Sequence, residues 1–563
     1  MADGEAQTSA SSGRKRGGWI TFPFITAGAL AGLTLCSGGW IGNLIVYLIQ
    51  EFNVKSVDAA QISNMIYGCT SFFPVIGAII ADSFLGSFSV ISNFSSISLL
   101  GMVLLVLTAT VDCLKPQPCE IGSTSSCTSS PSKFQFLVLY GGIILAAIGL
   151  GGTRFTMATM GANQFEKATD RGIFFNWFFF SLYVSAVVSL TVIVYIEDNV
   201  SWGLGFGISL AANFIGLAIF LLGNWFYHHD KPQGSPFMDM ARVVVAAIRK
   251  RKVVFSSETK DYYQEGSETM TVEATTPTDT FRFLNTASVK VEGDIKPDGS
   301  NAKPWRLCSV QQVENLKILI RIFPLWSSSI FLATPIAIQT SFVVLQILTM
   351  DRHIGPHFKI PAGSILVLVL FSTSVSITLV DRLLCPMWQK LTHRSLTPLQ
   401  RIGVGHVLNV LSMAVSAFVE SERLRVAHSH NVQALSGSNK VPMLAAWWLF
   451  PQLVLVGIGE AFHFPGQVAL YYQEFPLPLK NTATSMISLI IGIAFYLGAA
   501  LIDLVRGVSS WLPDDINNGR LDNLYWALVV VGVFNFGYYL VCSSLYKYQN
   551  VENMVEVDNT SDK

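Results

Sequence analysis

One arginine stands where a charge is costly. The segment "IGLGGTRFTMATMG" (148–161) places Arg154 inside a run from Phe134 to Gln164 that holds no other charged side chain. A central arginine in a membrane-crossing run costs roughly 2.5–3.5 kcal/mol on an insertion scale, so it marks a functional site by default. Other residues with chemistry of their own are few. Cys113, Cys119 and Cys127 share one polar loop, and Asn199-Val200-Ser201 has the pattern of a glycosylation acceptor. No G-x-x-x-x-G-K-[ST] phosphate loop, H-E-x-x-H helix or metal-spaced Cys/His cluster occurs. "GLGG" (149–152) has no strand before it, so close helix packing is its expected role, not dinucleotide binding. These residues point away from an enzyme and away from a cofactor or metal.

The elements that position Arg154 follow from composition. The chain of 563 residues is 51% hydrophobic and only 13% charged, against about 25% charged in soluble domains. Mean hydropathy is +0.47, too apolar for a chain that must cover itself with water. A net charge of zero and a pI of about 7.1 leave no footprint for nucleic acid. Twelve runs are long enough to cross a bilayer at about 20 residues each: 20–49, 58–82, 88–111, 134–164, 171–195, 200–224, 314–349, 361–385, 398–424, 442–472, 479–506 and 523–547. The pattern predicts an all-α membrane protein, its twelve transmembrane helices set in two six-helix bundles over 18–225 and 313–548. A cytoplasmic linker over 226–312 joins them, with a disordered cytoplasmic tail at 1–17 and another tail at 549–563. The polar start lacks the short apolar core and cleavage site of a signal peptide, so the first span is expected to target the chain.

Orientation rests on a slight charge bias. Arg14, Lys15, Arg16, Lys167, Arg171, Arg382, Lys390 and Arg394 share the linker's side, which the positive-inside rule assigns to the cytoplasm. The loop with Cys113, Cys119 and Cys127 is then extracytoplasmic, where one disulfide is permitted; the odd count leaves pairing or free thiols open. In the linker, "MDMARVVVAAIRKRKVVF" (238–255) ends in Arg249, Lys250, Arg251 and Lys252. Two readings stand: an interfacial helix with its cations on anionic membrane lipids, or a solvated charge run closing a loop. Residues 256–303 show no apolar period and are expected to be flexible.

Two six-span halves around a midplane site suit a secondary transporter. The segment "FFNWFFFSLYVSAVVSLTVIVYIEDNVSWGLGFGI" (174–208) resembles the plant nitrate/peptide transporter family, of the proton-coupled oligopeptide type within the major facilitator superfamily. So do "NLIVYL" (43–48), "GAIIADSFLG" (77–86), "GANQF" (161–165), "KPDG" (296–299), "TMDR" (349–352) and "TPLQRIGVG" (397–405), in order along nearly the whole chain. The resemblance implies the major facilitator fold. It also implies that Arg154 stands where the family's fourth span carries lysine, and that Glu460, in "GIGEAFHFPGQ" (457–467), faces it across a central cavity. A fixed salt bridge between the halves is the alternative for that pair.

The departure from the family is informative. Its first span normally carries E-x-x-E-R or E-x-x-E-K thirteen residues before the N-L-x-V-Y-L segment, and here Leu30, Leu33 and Thr34 occupy those charged positions. The family links those groups to proton coupling, so ordinary proton symport is in doubt. Losing two carboxylates and one cation also makes the cavity less negative, which favours a small anion over a peptide amine. With "GGWITFPF" (17–24) and "GEAFHFPG" (459–466), the lost motif resembles the nitrate excretion subgroup, implying release of nitrate, and in some relatives chloride, across the plasma membrane. The histidine used for nitrate elsewhere in the family aligns with Ile336. His463, three residues after Glu460, is expected to share its face and serve as a pH-sensitive cation or as a neutral hydrogen-bonding residue. His406 is expected to be structural. Three functions follow: a passive anion carrier, a proton-coupled symporter working through Glu460 and His463, or an anion-sensing receptor that transports little.

Overall fold

The computed structural model describes residues 17–116, 131–229, 236–253, 261–264, 277–291, 293–296, 301–356, 358–435, 444–474 and 477–546. Cys119, Cys127 and residues 1–16 lie outside them. Among the described residues, twelve helices are long and apolar enough to span a bilayer: Gly18–Gly42, Ser56–Leu85, Ser87–Thr110, Lys133–Asn163, Ile173–Asn199, Trp202–Trp225, Val310–Leu348, Gly363–Thr392, Pro398–Ser429, Ala446–Tyr471, Met486–Val508 and Leu521–Leu545. A lipid core leaves no water to satisfy peptide groups, so each apolar run closes its own hydrogen bonds as a helix. The fourth and seventh spans open with Ser-x-x-Gln capping boxes, at Ser132 with Gln135 and at Ser309 with Gln312.

Packing repeats between the halves. In the first half the third span packs on the fourth and sixth, the second on the fourth, and the first on the fifth and sixth. In the second half the ninth packs on the tenth and twelfth, the eighth on the tenth, and the seventh on the eleventh and twelfth. The two sets match member for member, an internal repeat that the residues themselves do not display. Small residues let the backbones approach, as the "GLGG" stretch led one to expect. A Cβ on Gly151 would stand 2.6 Å from Phe73 Cβ of the second span, and one on Gly149 would meet Phe94 O of the third at 2.5 Å.

Two spans differ from the sequence reading. The first does not run unbroken to residue 49: the helix breaks at Asn43 (φ −113°, ψ 8°) and resumes as Leu44–Gln50. The break accompanies a polar demand, because buried Asn43 donates Nδ2–H to Oε2 of buried Glu197 at 3.3 Å, and a buried carboxylate needs a donor. The eighth passes through a π-helical turn, Val380–Leu384, and continues as Cys385–Thr392, beyond the expected end at 385.

The linker is folded where it is described. Its helix, Pro236–Arg249, packs Val243, Ala246 and Ala247 against Leu284, Ala287, Cys308, Val313 and Leu316. Residues 261–264 and 277–291 therefore correct the expectation of a flexible segment: Tyr262 and Tyr263 are buried, and Arg282–Ser288 forms a 3-10 helix. The basic cluster is corrected too. Lys250 is buried, with Nζ 2.8 Å from Asp294 Oδ2 and donating to Val289 O at 2.7 Å, so it does not reach lipid headgroups. Arg249 donates to Trp305 O at 3.3 Å, while Arg251 and Lys252 are exposed. Cys113 is an exposed free thiol, and Asn199 is exposed at the end of the fifth span.

The halves are tied together on the side opposite the linker. Arg352 Nη1 lies 3.3 Å from Asp198 Oδ2, both largely buried. Arg506 bridges Asp58 and Asp514, and Lys55 Nζ meets Asp514 Oδ2 at 2.7 Å. Ser364 Oγ donates to Leu190 O at 2.6 Å. Among the described residues, no ion pair joins the two bundles on the linker side.

Candidate functional site

Depth along three helices brings three side chains to one level. Arg154 lies nine residues before Asn163, the linker-side end of the fourth span, which at 1.5 Å per residue is about 14 Å. Tyr183 lies ten residues after Ile173 in the fifth, about 15 Å in, and Glu460 eleven residues before Tyr471 in the tenth, about 16 Å. All three therefore lie at a similar distance, about three turns, from the linker-side ends of their helices. The phenol of Tyr183 is within electrostatic reach of both Arg154, in the first half, and Glu460, in the second.

Arg154 is exposed although it lies inside the fourth span. Among the described residues, no carboxylate pairs with it. A fixed Arg154–Glu460 salt bridge is absent from this conformation. Glu460 is half-buried and accepts instead from Thr373 Oγ1 of the eighth span at 3.3 Å. The site is thus a cation with free donors on one wall and a separately held carboxylate on the other.

The first span contributes no charge to this space. Leu30 and Leu33 are each 5% exposed and join a core with Ile25, Phe174, Phe178 and Phe220, while Thr34 is half-buried. The positions that would carry the coupling motif are therefore hydrophobic packing between the first span and its neighbours. Ile336 is half-buried in the seventh span, where its carbonyl accepts from Thr340 Oγ1 at 2.8 Å.

His463 does not share the face of Glu460. It is 2% exposed, beside the backbone of Ile402 and 5.6 Å from the ring of His406, and a Cβ on Gly405 would stand 2.8 Å from its Cβ. Three residues turn a helix by about 300°, leaving about 60° between the two side chains. The tenth span is wedged between the eighth and ninth, so that angle sends Glu460 to the eighth and His463 to the ninth. His406 stacks on Tyr539 at 4.5 Å, a packing role as expected. Sequence reasoning missed Tyr183 and Thr373. The signal for Tyr183 was its hydroxyl in a run of phenylalanines; Thr373, in an apolar span with several hydroxyls, carried none.

The comparisons with known proteins show the family and the fold of the chain. A family model described as PTR2, POT family, matches residues 88–516. The chain is 56% identical to Protein NRT1/PTR FAMILY 2.7 of Arabidopsis thaliana over 98% of this chain and 97% of that one. It is 54% identical to Protein NRT1/PTR FAMILY 2.6 of the same plant, again over 98% and 97%. Among solved structures, the crystal structure of an auto inhibited POT family peptide transporter superposes with a TM-score of 0.66 at 17% identity, covering 94% of this chain and 97% of that chain. The in meso structure of the POT family transporter PepTSo gives the same TM-score, 0.66, at 16% identity, covering 94% and 99%. At those identities the solved structures bear on the fold alone.

Proposed function

Because the chain belongs to the POT family of membrane transporters, we propose that it is an alternating-access carrier of small inorganic anions, nitrate first and chloride second. The observation that carries this reading is the guanidinium of Arg154, inside the fourth span, exposed and unpaired among the described residues. A fixed cation free of carboxylates offers a planar anion a pair of charge-assisted donors. The apolar identity of Leu30 and Leu33 supports the same reading, since no carboxylate there competes for the cation or waits for a peptide amine. Transport is passive: no proton-carrying group stands at the first-span positions, and the membrane potential supplies the drive. Inside-negative potential favours anion exit by about 2.3 kcal/mol per 100 mV, so the carrier works as an efflux route at the plasma membrane, with the linker and both tails in the cytoplasm.

A second reading keeps proton coupling, and one observation favours it. Among the described residues Glu460 has no cation partner and accepts from Thr373, so it is free to exchange a proton within the cavity. Burial of His463 against the ninth span leaves that role to Glu460 alone. Counterflow in proteoliposomes with labelled nitrate tests the common premise. Exchange of external label against internal unlabelled nitrate is expected; its absence from reconstituted, folded protein leaves an anion sensor as the surviving account.

A further inference from the structure

The bent end of the eighth span opens a groove on the outer face of the second half. After the π-helical turn at Val380–Leu384, the segment Cys385–Thr392 leaves the bundle, and none of its residues is buried. Between it, the start of the ninth span and the end of the twelfth lies a groove of about 990 Å³. That is the upper end of the range of about 300–1,000 Å³ for small-molecule sites.

Depth sorts its walls into two kinds. The eighth span has 30 residues, about 45 Å of helix against a hydrocarbon core of about 30 Å, so its last turn reaches the headgroup layer. Lys390, Gln400, Ser543 and Ser544 line the groove within two residues of the linker-side ends of the eighth, ninth and twelfth spans. Val404, Phe462, Phe536 and Tyr539 line it six to nine residues further in, at acyl-chain depth. Arg394 follows in the turn after His393, whose φ of 54° ends the helix. Neither Lys390 nor Arg394 has an ion-pair partner among the described residues, and no carboxylate lines the groove.

We propose that this groove is a binding site for one anionic glycerophospholipid. Its acyl chains fill the apolar depth between Val404, Phe462 and Phe536, and its phosphate meets Lys390 in the groove wall, with Arg394 four residues further along the chain as the second cation. An apolar cleft opening to the membrane is filled by lipid in any case. The two cations, unpaired among the described residues, make the occupant anionic, and the side-chain amide of Gln400 offers a donor to its glycerol esters. The lipid contact thus belongs to the loop after the eighth span and not to the linker cluster, whose Lys250 is turned inward.

Native mass spectrometry of the full-length protein tests this with palmitoyl-oleoyl phosphatidylglycerol and phosphatidylcholine added in equal amounts. One phosphatidylglycerol per chain is expected to be retained, with a preference of about thirtyfold from two interfacial cations. The double variant Lys390→Gln with Arg394→Gln should lose that preference while still retaining either lipid weakly. Val404→Trp, which fills the groove from a residue 38% exposed, should abolish retention of both. Gly403→Phe serves the same purpose should the tryptophan variant fail to give a monodisperse protein. Glycerol 3-phosphate should not displace the bound lipid. Equal retention of the two lipids by the wild type, an unchanged preference in the double variant, or displacement by glycerol 3-phosphate would each overturn the proposal.

Discussion

A guanidinium inside a span with a free face differs in kind from one locked in a salt bridge, and the two make opposite predictions on mutation. Removing one partner of a buried ion pair leaves an uncompensated charge and costs about 3–5 kcal/mol of stability. Arg154 has no such partner, so Arg154→Gln is expected to leave the folded protein intact and to reduce nitrate flux at least tenfold, the loss of a charge-assisted hydrogen bond. Arg154→Lys should keep part of the flux, with charge retained and the planar fork lost. Flux assays beside thermal unfolding of purified protein separate the cases: normal flux in the glutamine variant sinks the anion site, and loss of fold restores the salt bridge. The position of Arg154 was legible because a lone charge in an apolar run is too costly to stand there without a use. The direction of His463 was not, since its 60° offset from Glu460 matters only once the eighth and ninth spans flank the tenth.

At the scale of elements, the spans were legible and the linker was not, for one physical reason. A run of apolar residues in lipid has a single solution, a helix with its hydrogen bonds closed within the segment. The linker's order comes from contacts far apart in sequence, above all Lys250 with Asp294, and no local pattern announces such a pair. Burial pushes the Lys250 ammonium below its ordinary range and the Asp294 carboxylate opposes that shift, so the pair holds only while both partners remain. Asp294→Leu alone is therefore expected to loosen the linker, with cleavage by added protease between residues 236 and 310 rising severalfold over wild type. Lys250→Met combined with Asp294→Leu should restore much of the resistance, because an apolar pair of similar volume removes the desolvation cost along with the attraction. Arg306, 3.3 Å from the same carboxylate, is half-exposed and remains solvated in either variant. Equal cleavage of the single and double variants would show that the pair does not organise the linker.

At the scale of the whole molecule, the two repeated halves are tied together by ion pairs on the face opposite the linker, and what opens that face decides how transport responds to pH. Lys55 beside Asp514 holds that carboxyl below its ordinary value of about 3.9. A depressed carboxyl contributes above its unfolded pKa and loses its contribution only as pH falls through the folded one. Between pH 5 and 8 this tie does not titrate, so Asp514→Asn should change transport rate without changing the shape of its profile in that window. A changed shape would make the closed face the pH sensor. Coupling is a separate matter, decided by the groups that Leu30 and Leu33 have replaced. A symporter must bind a proton on one side and release it on the other, and among the described residues Glu460 is the carboxylate proposed for that role. In proteoliposomes with nitrate inside, the reversal potential of a uniporter follows the nitrate ratio alone, so an imposed pH gradient should alter the rate and leave that potential in place. With two protons per nitrate, the potential would move by about 118 mV per pH unit, twice the 59 mV one-charge decade. A potential that tracks pH in the wild type and stops tracking it in Glu460→Gln would assign coupling to that carboxylate and replace the passive carrier with a proton symporter.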